Sequence, residues 1–168
     1  MRYSGIIKND TSAGDGICVT LFVQGCSRRC KGCHNPETWS YIGGEKYTEE
    51  TKNEILKALN ANDIQRNLCI MGGEPLEGII EGNLQILHYL IRDAKINNNQ
   101  IKVYLWTGFT LEEIKESAVA FSFINNNIDF LIDGAYIEEL RDTTLKWRGS
   151  SNQRIWKKTK YGIWIEEK

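Results

Sequence analysis

Apolar positions recur along this chain in two periods, and their alternation predicts a sheet with helices between its strands. Ile17-Cys-Val-Thr-Leu-Phe-Val23 is a β-rich run within the segment Gly16 to Gly25, entered through the turn Gly14-Asp15-Gly16. Asn67-Leu-Cys-Ile-Met71 is a second, short buried-type strand, and Ile101 to Trp106 a third, ended by Thr107-Gly108. Ile128-Asp-Phe-Leu-Ile132 is a fourth, followed by Asp133-Gly134. Between the strands the period changes. From Thr48 to Asn60, Ile55, Leu56 and Leu59 stand at helical spacing behind Thr48 as N-cap. Asn83 to Ile96 is apolar at Leu84, Ile86, Leu87, Leu90 and Ile91 and reads as a helix. Thr110-Leu-Glu-Glu113 is a capping box, since hydroxyl and carboxylate satisfy each other's exposed backbone donors. The helix it opens is expected to run to about Phe121. Gln153 to Ile165 reads as a hairpin turning around Lys158 to Tyr161.

Strands alternating with helices favour parallel pairing through right-handed crossovers. About four such units are too few for a closed eightfold barrel of about 250 residues. An open partial barrel or a curved α/β sheet fits the 168 residues better, and a doubly wound sheet satisfies the same periodicity. Without repeats, low-complexity tracts or linkers, residues 1–168 read as a single domain.

Composition narrows the class. A hydrophobic fraction of 41% and a charged fraction of 26% are those of a soluble globular protein. With 21 basic and 22 acidic residues the net charge is -1, so no electrostatic footprint of a nucleic-acid binder is present. The N-terminus lacks the apolar run of a secretory signal, and no stretch is long enough to span a bilayer. These features point to the cytoplasm, where thiols stay reduced. Five cysteines there are expected to be free or metal-bound rather than paired.

Their spacing is the most informative feature. In Cys26-Ser-Arg-Arg-Cys30-Lys-Gly-Cys33-His34-Asn35, three thiols can converge from one loop onto a compact metal centre. A cubane iron–sulfur cluster normally takes four thiolates, so three would leave one iron for a small molecule bearing an amine and a carboxylate. The alternative is structural zinc on the three cysteines and His34. It is geometrically awkward, because Cys33 and His34 are adjacent and adjacent side chains of an extended segment point to opposite faces. Gly72-Gly73-Glu74-Pro75 follows the second strand. The two glycines let backbone approach a ligand closely, and Glu74 offers an acceptor for a protonated amine. The cysteine loop, the glycine pair, Trp106-Thr107-Gly108 and Asp133-Gly134-Ala135 each follow one strand, and in parallel α/β folds ligands bind at those strand ends.

The cysteine spacing with Gly-Gly-Glu-Pro resembles the radical S-adenosylmethionine (SAM) superfamily and, within it, the glycyl-radical-enzyme activases. The similarity runs through Gly14-Asp-Gly16, Thr20-Leu-Phe-Val-Gln-Gly-Cys26 and Cys33-His-Asn-Pro-Glu-Thr-Trp39. Trp106-Thr-Gly-Phe109, Ile132-Asp-Gly134 and Trp147-Arg-Gly-Ser-Ser-Asn-Gln153 are similar to the branch that activates anaerobic ribonucleoside-triphosphate reductase. Gly32 stands where pyruvate formate-lyase activators generally carry an aromatic residue, which favours the reductase branch over that one.

The resemblance implies an open partial (β/α) barrel of the radical SAM type, with parallel strands and crossover helices. It implies an oxidoreductase holding one [4Fe–4S] cluster on Cys26, Cys30 and Cys33, with SAM as second cofactor. Gly32, Cys33 and His34 would contact adenine through their backbone. Gly72, Gly73 and Glu74 would hold the methionyl amine, and Asp133 would line the ribose or methionyl end. No catalytic side chain beyond the cluster and SAM is implied. The partners implied are the large subunit of the reductase, which carries the target glycine, and an electron donor such as a flavodoxin. A radical SAM enzyme acting on a small molecule, a pyruvate formate-lyase-type activase and a zinc-stabilised binding module are the competing readings. Arg148 to Arg154 is a candidate docking or lining segment. Cys18 and Cys69 are expected in the core, His88 at its edge and Trp39 packing the loop; Arg28 and Arg29 read as a solvated pair, or as charges that attract an acidic electron donor or offset cluster charge.

Overall fold

The computed structural model describes residues 1–77 and 82–167. Its strands are β1 (Arg2–Asp10), β2 (Ile17–Val23), β3 (Glu45–Lys46), β4 (Arg66–Gly72), β5 (Val103–Trp106), β6 (Phe130–Asp133), β7 (Arg154–Lys158) and β8 (Trp164–Glu167). The helices are α1 (Glu49–Leu59), α2 (Asn83–Asn97), α3 (Leu111–Glu116) and α4 (Ala118–Asn127). One sheet contains all these strands in the order β3-β1-β2-β4-β5-β6-β7-β8.

The four strands anticipated from sequence are its centre, and β2, β4, β5 and β6 pair in parallel. The outer strands join antiparallel: β7 and β8 form the hairpin expected between Gln153 and Ile165, whereas the antiparallel pairing of β1 with β2 and β3, and of β7 with β6, departs from the expected parallel strands. Chain length explains part of this. Residues 11–16 between β1 and β2, and 159–163 between β7 and β8, are too few for the crossover that parallel neighbours need. β1 lies outside the elements the apolar pattern predicts; its register breaks between Tyr3 and Gly5 and again between Ile7 and Asp10, which blurs the alternation.

The parallel strands succeed one another without a reversal of order, so right-handed crossovers all fall on one side of the sheet. That removes the doubly wound alternative. Strand alternation then sorts the core. Val19 and Leu21, Leu68 and Ile70, Val103 and Leu105, and Leu131 meet Ile55 and Leu59 of α1, Leu87 and Ile91 of α2, Ile114 of α3 and Ile124 of α4. The alternate residues Cys18, Cys69, Tyr104, Phe130 and Ile132 form a second cluster on the opposite face, with Ala13 and Ile155. Both Cys18 and Cys69 are fully buried there.

Helix starts follow their caps. Thr48 caps α1 as expected, with Thr51 completing a capping box the sequence reading did not include, and Thr110 and Glu113 form the box expected for α3. The helix after Thr110 does not reach Phe121 unbroken. Ser117 is extended (φ -102°, ψ 106°), ends α3 and caps α4 by accepting a hydrogen bond from Ala120 N. His88 is exposed rather than packed at the core edge, with Nδ1 2.8 Å from Asn127 Oδ1. Among the described residues, no helix is long and apolar enough to cross a membrane.

Candidate functional site

Because the central strands run parallel, the segments leaving β2, β4, β5 and β6 emerge at one end of the sheet. The loop after β2 is clamped at both of its ends. Gly25 N donates to Thr38 O (2.7 Å) and Cys26 N to Trp39 O (3.2 Å). Gln24 Nε2 donates to the carbonyls of Glu37 (2.9 Å) and Ser40 (2.7 Å). Residues 26–33 are thus a closed excursion on a fixed neck. Cys33 N donates to Cys30 O (3.1 Å), and Asn35 N lies 3.4 Å from Cys33 Sγ as its donor. Burial pushes the Cys26 thiol up, while the backbone N–H groups of Arg28 and Arg29 pull it down.

The turn after β4 backs onto this neck. Gly73 N donates to Val23 O and Glu74 N to Gly25 O, each at 2.8 Å. A Cβ on Gly73 would collide with the Gly25 carbonyl, so the close approach itself requires glycine. The Glu74 side chain is buried at 4% exposure. Its Oε1 accepts from Thr107 Oγ1 (2.6 Å) and Leu76 N (3.1 Å), and its Oε2 from Gly108 N (2.7 Å). Burial pushes its carboxyl up; these hydrogen bonds and the Arg28 charge oppose the shift. The carboxylate, read from sequence as an acceptor for an amine, already fastens the β4 turn to the β5 turn.

Between these segments lies a cavity of about 540 Å³. All three loop cysteines, His34 and Gly72-Gly73-Glu74 line it. Gly134 and Tyr136, which follow β6, also reach the wall, and the His34 and Tyr136 ring centroids are 5.6 Å apart. Two of the sequence-predicted residues are elsewhere. Gly32 is exposed at the loop tip, where a Cβ would collide with the Glu138 carboxylate. Asp133 is fully buried off the wall, receiving Arg154 Nε (3.0 Å) and Nη2 (2.5 Å) and Leu111 N (2.6 Å), so it ties β6 to β7 and α3. Its Asp-Gly sequence context is that of any strand-ending turn.

The far wall was less legible. Trp106 Nε1 donates to Trp147 O (2.8 Å), and Trp147 Nε1 to Gly14 O (3.1 Å). Lys146 Nζ is 3.1 Å from Asp15 Oδ1. The segment 148–154 divides its work. Arg148, Gly149 and Gln153 line the cavity, while Asn152 Nδ2 and Gln153 Nε2 hold Ala135 O (2.8 Å) and Gly134 O (3.0 Å). Tyr136 carried no sequence signal that marks it.

The donor set can be matched to a cofactor. Three thiols on one wall, approached by backbone N–H groups, suit an iron–sulfur cluster, whose sulfurs accept such bonds. Among the described residues, no group of three His, Cys, Asp or Glu side chains is gathered as a preformed site for one ion.

Comparison with known proteins agrees. The family model described as a 4Fe-4S single cluster domain matches residues 12–156. A protein of Vibrio cholerae named anaerobic ribonucleoside-triphosphate reductase-activating protein is 38% identical over 156 residues, 92% of this chain and 97% of its own length. The protein of the same name from enterobacteria phage T4 is 35% identical over 164 residues, 98% of both chains. Its namesake in Escherichia coli K12 is 32% identical over 156 residues, 92% of this chain and 97% of its own.

Proposed function

This chain belongs to the family of anaerobic ribonucleoside-triphosphate reductase-activating proteins, and from that premise we propose that it activates such a reductase through a [4Fe–4S] cluster and SAM. Cys26, Cys30 and Cys33 would hold the cluster, leaving one iron for the amine and carboxylate of SAM. When bound, the reduced cluster and SAM would supply reductive cleavage of the sulfonium and, from it, a 5′-deoxyadenosyl radical able to take a hydrogen atom from a glycine of the reductase large subunit.

The chain's own residues do the placing. The clamped neck from Gln24 to Trp39 holds the thiols at the cavity, and the Gly72-Gly73 backbone on its wall would hold the methionyl amine. Glu74 acts by fixing that backbone against the β5 turn. His34, with Cys33, would meet adenine through its backbone, and the Tyr136 ring would close that side. Gly32 and Asp133 would act from behind the wall, by loop shape and by fastening respectively.

We read the sheet as an open partial barrel of the radical SAM type in one domain, with the cavity facing the helix-free side. Its open side would admit a reductase loop. We take the electron donor to be a flavodoxin-type protein and the compartment to be the cytoplasm. The observation that carries the proposal is the meeting of three thiols and the Gly-Gly-Glu turn on one cavity wall. The test mixes reduced, reconstituted protein with SAM and the reductase without oxygen. A glycyl radical doublet in electron paramagnetic resonance (EPR) is expected. Stoichiometric zinc without sulfide, or a loaded cluster that yields no radical, would overturn it.

A further inference from the structure

A buried N–H without an acceptor is costly to leave unmade and rare in folded proteins, so each such group asks for a missing partner. Among the described residues, seven buried side-chain nitrogen or oxygen atoms have no hydrogen-bond partner. Of these, Arg28 Nε and Trp39 Nε1 belong to residues on the cavity wall. Both are donors, and both sit on the clamped loop that carries the cysteines. Arg28 lies between Cys26 and Cys30, and the Trp39 carbonyl receives the Cys26 N–H.

Arg28 is held firmly. Its guanidinium stands 4.1 Å above the Phe109 ring, and its Cδ occupies the space that a side chain on Gly108 would need. Glu74 Oε2 and Glu113 Oε2 are 3.8 Å away, near enough for attraction but beyond hydrogen-bonding reach. The other two tryptophans on the wall already donate, Trp106 to Trp147 O and Trp147 to Gly14 O. Trp39 alone among these three keeps its indole N–H free.

We infer that Arg28 and Trp39 set the reduction potential of the cluster, each donating its spare N–H to a cluster or ligand sulfur. This rests on the three-cysteine cluster proposed above. Hydrogen bonds to sulfur are among the protein's means of tuning such potentials. A donor favours the more electron-rich, reduced form, and the Arg28 charge acts in the same direction. Both residues are positioning residues: they hold and polarise the cluster without touching the reacting carbon.

The test is an EPR-monitored redox titration of reconstituted wild-type, Trp39→Phe and Arg28→Gln proteins in the absence of SAM. Iron and acid-labile sulfide are counted first. Each substitution is expected to shift the oxidised-to-reduced ratio about tenfold, which is about 59 mV more negative for a one-electron couple. Unchanged potentials at full iron content would overturn the inference. The titration is then repeated with SAM: a shift in Arg28→Gln seen only in that second titration would assign its N–H to the methionyl carboxylate and overturn the Arg28 half. Should Trp39→Phe fail to fold, pulsed EPR on reduced wild-type protein with 15N-labelled tryptophan decides. Coupling to an indole nitrogen is expected, and its absence would overturn the Trp39 half. Wild-type protein that takes up no iron and sulfide would instead defeat the cluster proposal itself.

Discussion

The two faces of the central sheet are built from the same strands by the same alternation, yet they end in different kinds of interior. Helices close the face that carries Val19, Leu21, Ile70 and Leu105, and the packing there is continuous and aliphatic. Loops close the face that carries Cys18, Cys69, Tyr104 and Phe130, and there the packing stops at a cavity. A helix satisfies its own backbone and can present an unbroken apolar stripe. A loop brings unpaired N–H and C=O groups, which must find partners or a ligand. Chemistry therefore collects on the loop-covered side.

Substitutions on the two faces should consequently fail in different ways. The largest effect is expected from Cys30→Ser, which should lose essentially all cluster while circular dichroism stays that of the wild-type apoprotein. Four irons retained per chain would break the distinction. On the helix side, Leu87→Ala removes a fully buried side chain and should cost about 2–5 kcal/mol in denaturant unfolding, with cluster content per folded chain unchanged.

Glu74 tests the border between stability and function. Glu74→Ala leaves the donors of Thr107, Gly108 and Leu76 without their acceptor and should cost about 1–3 kcal/mol. It should also weaken SAM binding, read by equilibrium dialysis, because the β4 turn loses its fastening. Unfolding that matches wild type would show that this carboxylate fastens nothing.

Smaller still is the effect of Asp10 on the loop-covered face. Burial alone would raise its carboxyl, but hydrogen bonds from Ser12, Thr20 and Ala13 outweigh it and hold it below the ordinary value. A folded pKa below the unfolded one means stability that is present above about pH 4 and lost as pH falls through the folded value. That contribution should be about 1 kcal/mol, and Asp10→Asn should flatten the acid limb of a stability–pH curve. The smallest effect belongs to the exposed pair Lys8–Glu54, 2.8 Å apart, where Lys8→Ala should change stability by less than about 1 kcal/mol.

Much of the fold could be read from local pattern. Strands β2, β4, β5 and β6, helices α1 and α2, the Thr48 N-cap and the Thr110–Glu113 capping box lie where periodicity and cap residues indicate. These features depend on residues within a few positions of one another. The terminal hairpin β7–β8 was legible too, but the antiparallel edge formed by β1 and β3 was not, because β1 carries an irregular register and its pairing is a property of distant segments. The break at Ser117 escaped notice because the apolar pattern continues across it, and only the extended backbone shows a cap in mid-run.

The candidate site divides in the same manner. Spacing marked Cys26, Cys30 and Cys33 as candidate metal ligands, whereas Gly-Gly-Glu by itself reads as a turn and became a candidate only through its place after a parallel strand and the family resemblance. Tertiary structure decided which neighbours face the cavity. It buried Asp133 against Arg154, turned Glu74 toward Thr107, brought Tyr136 to His34, and left Arg28 and Trp39 with donors to spare. The reason is physical: residue type sets what a side chain can bind, whereas direction and partner follow from where separate strands deliver their loops.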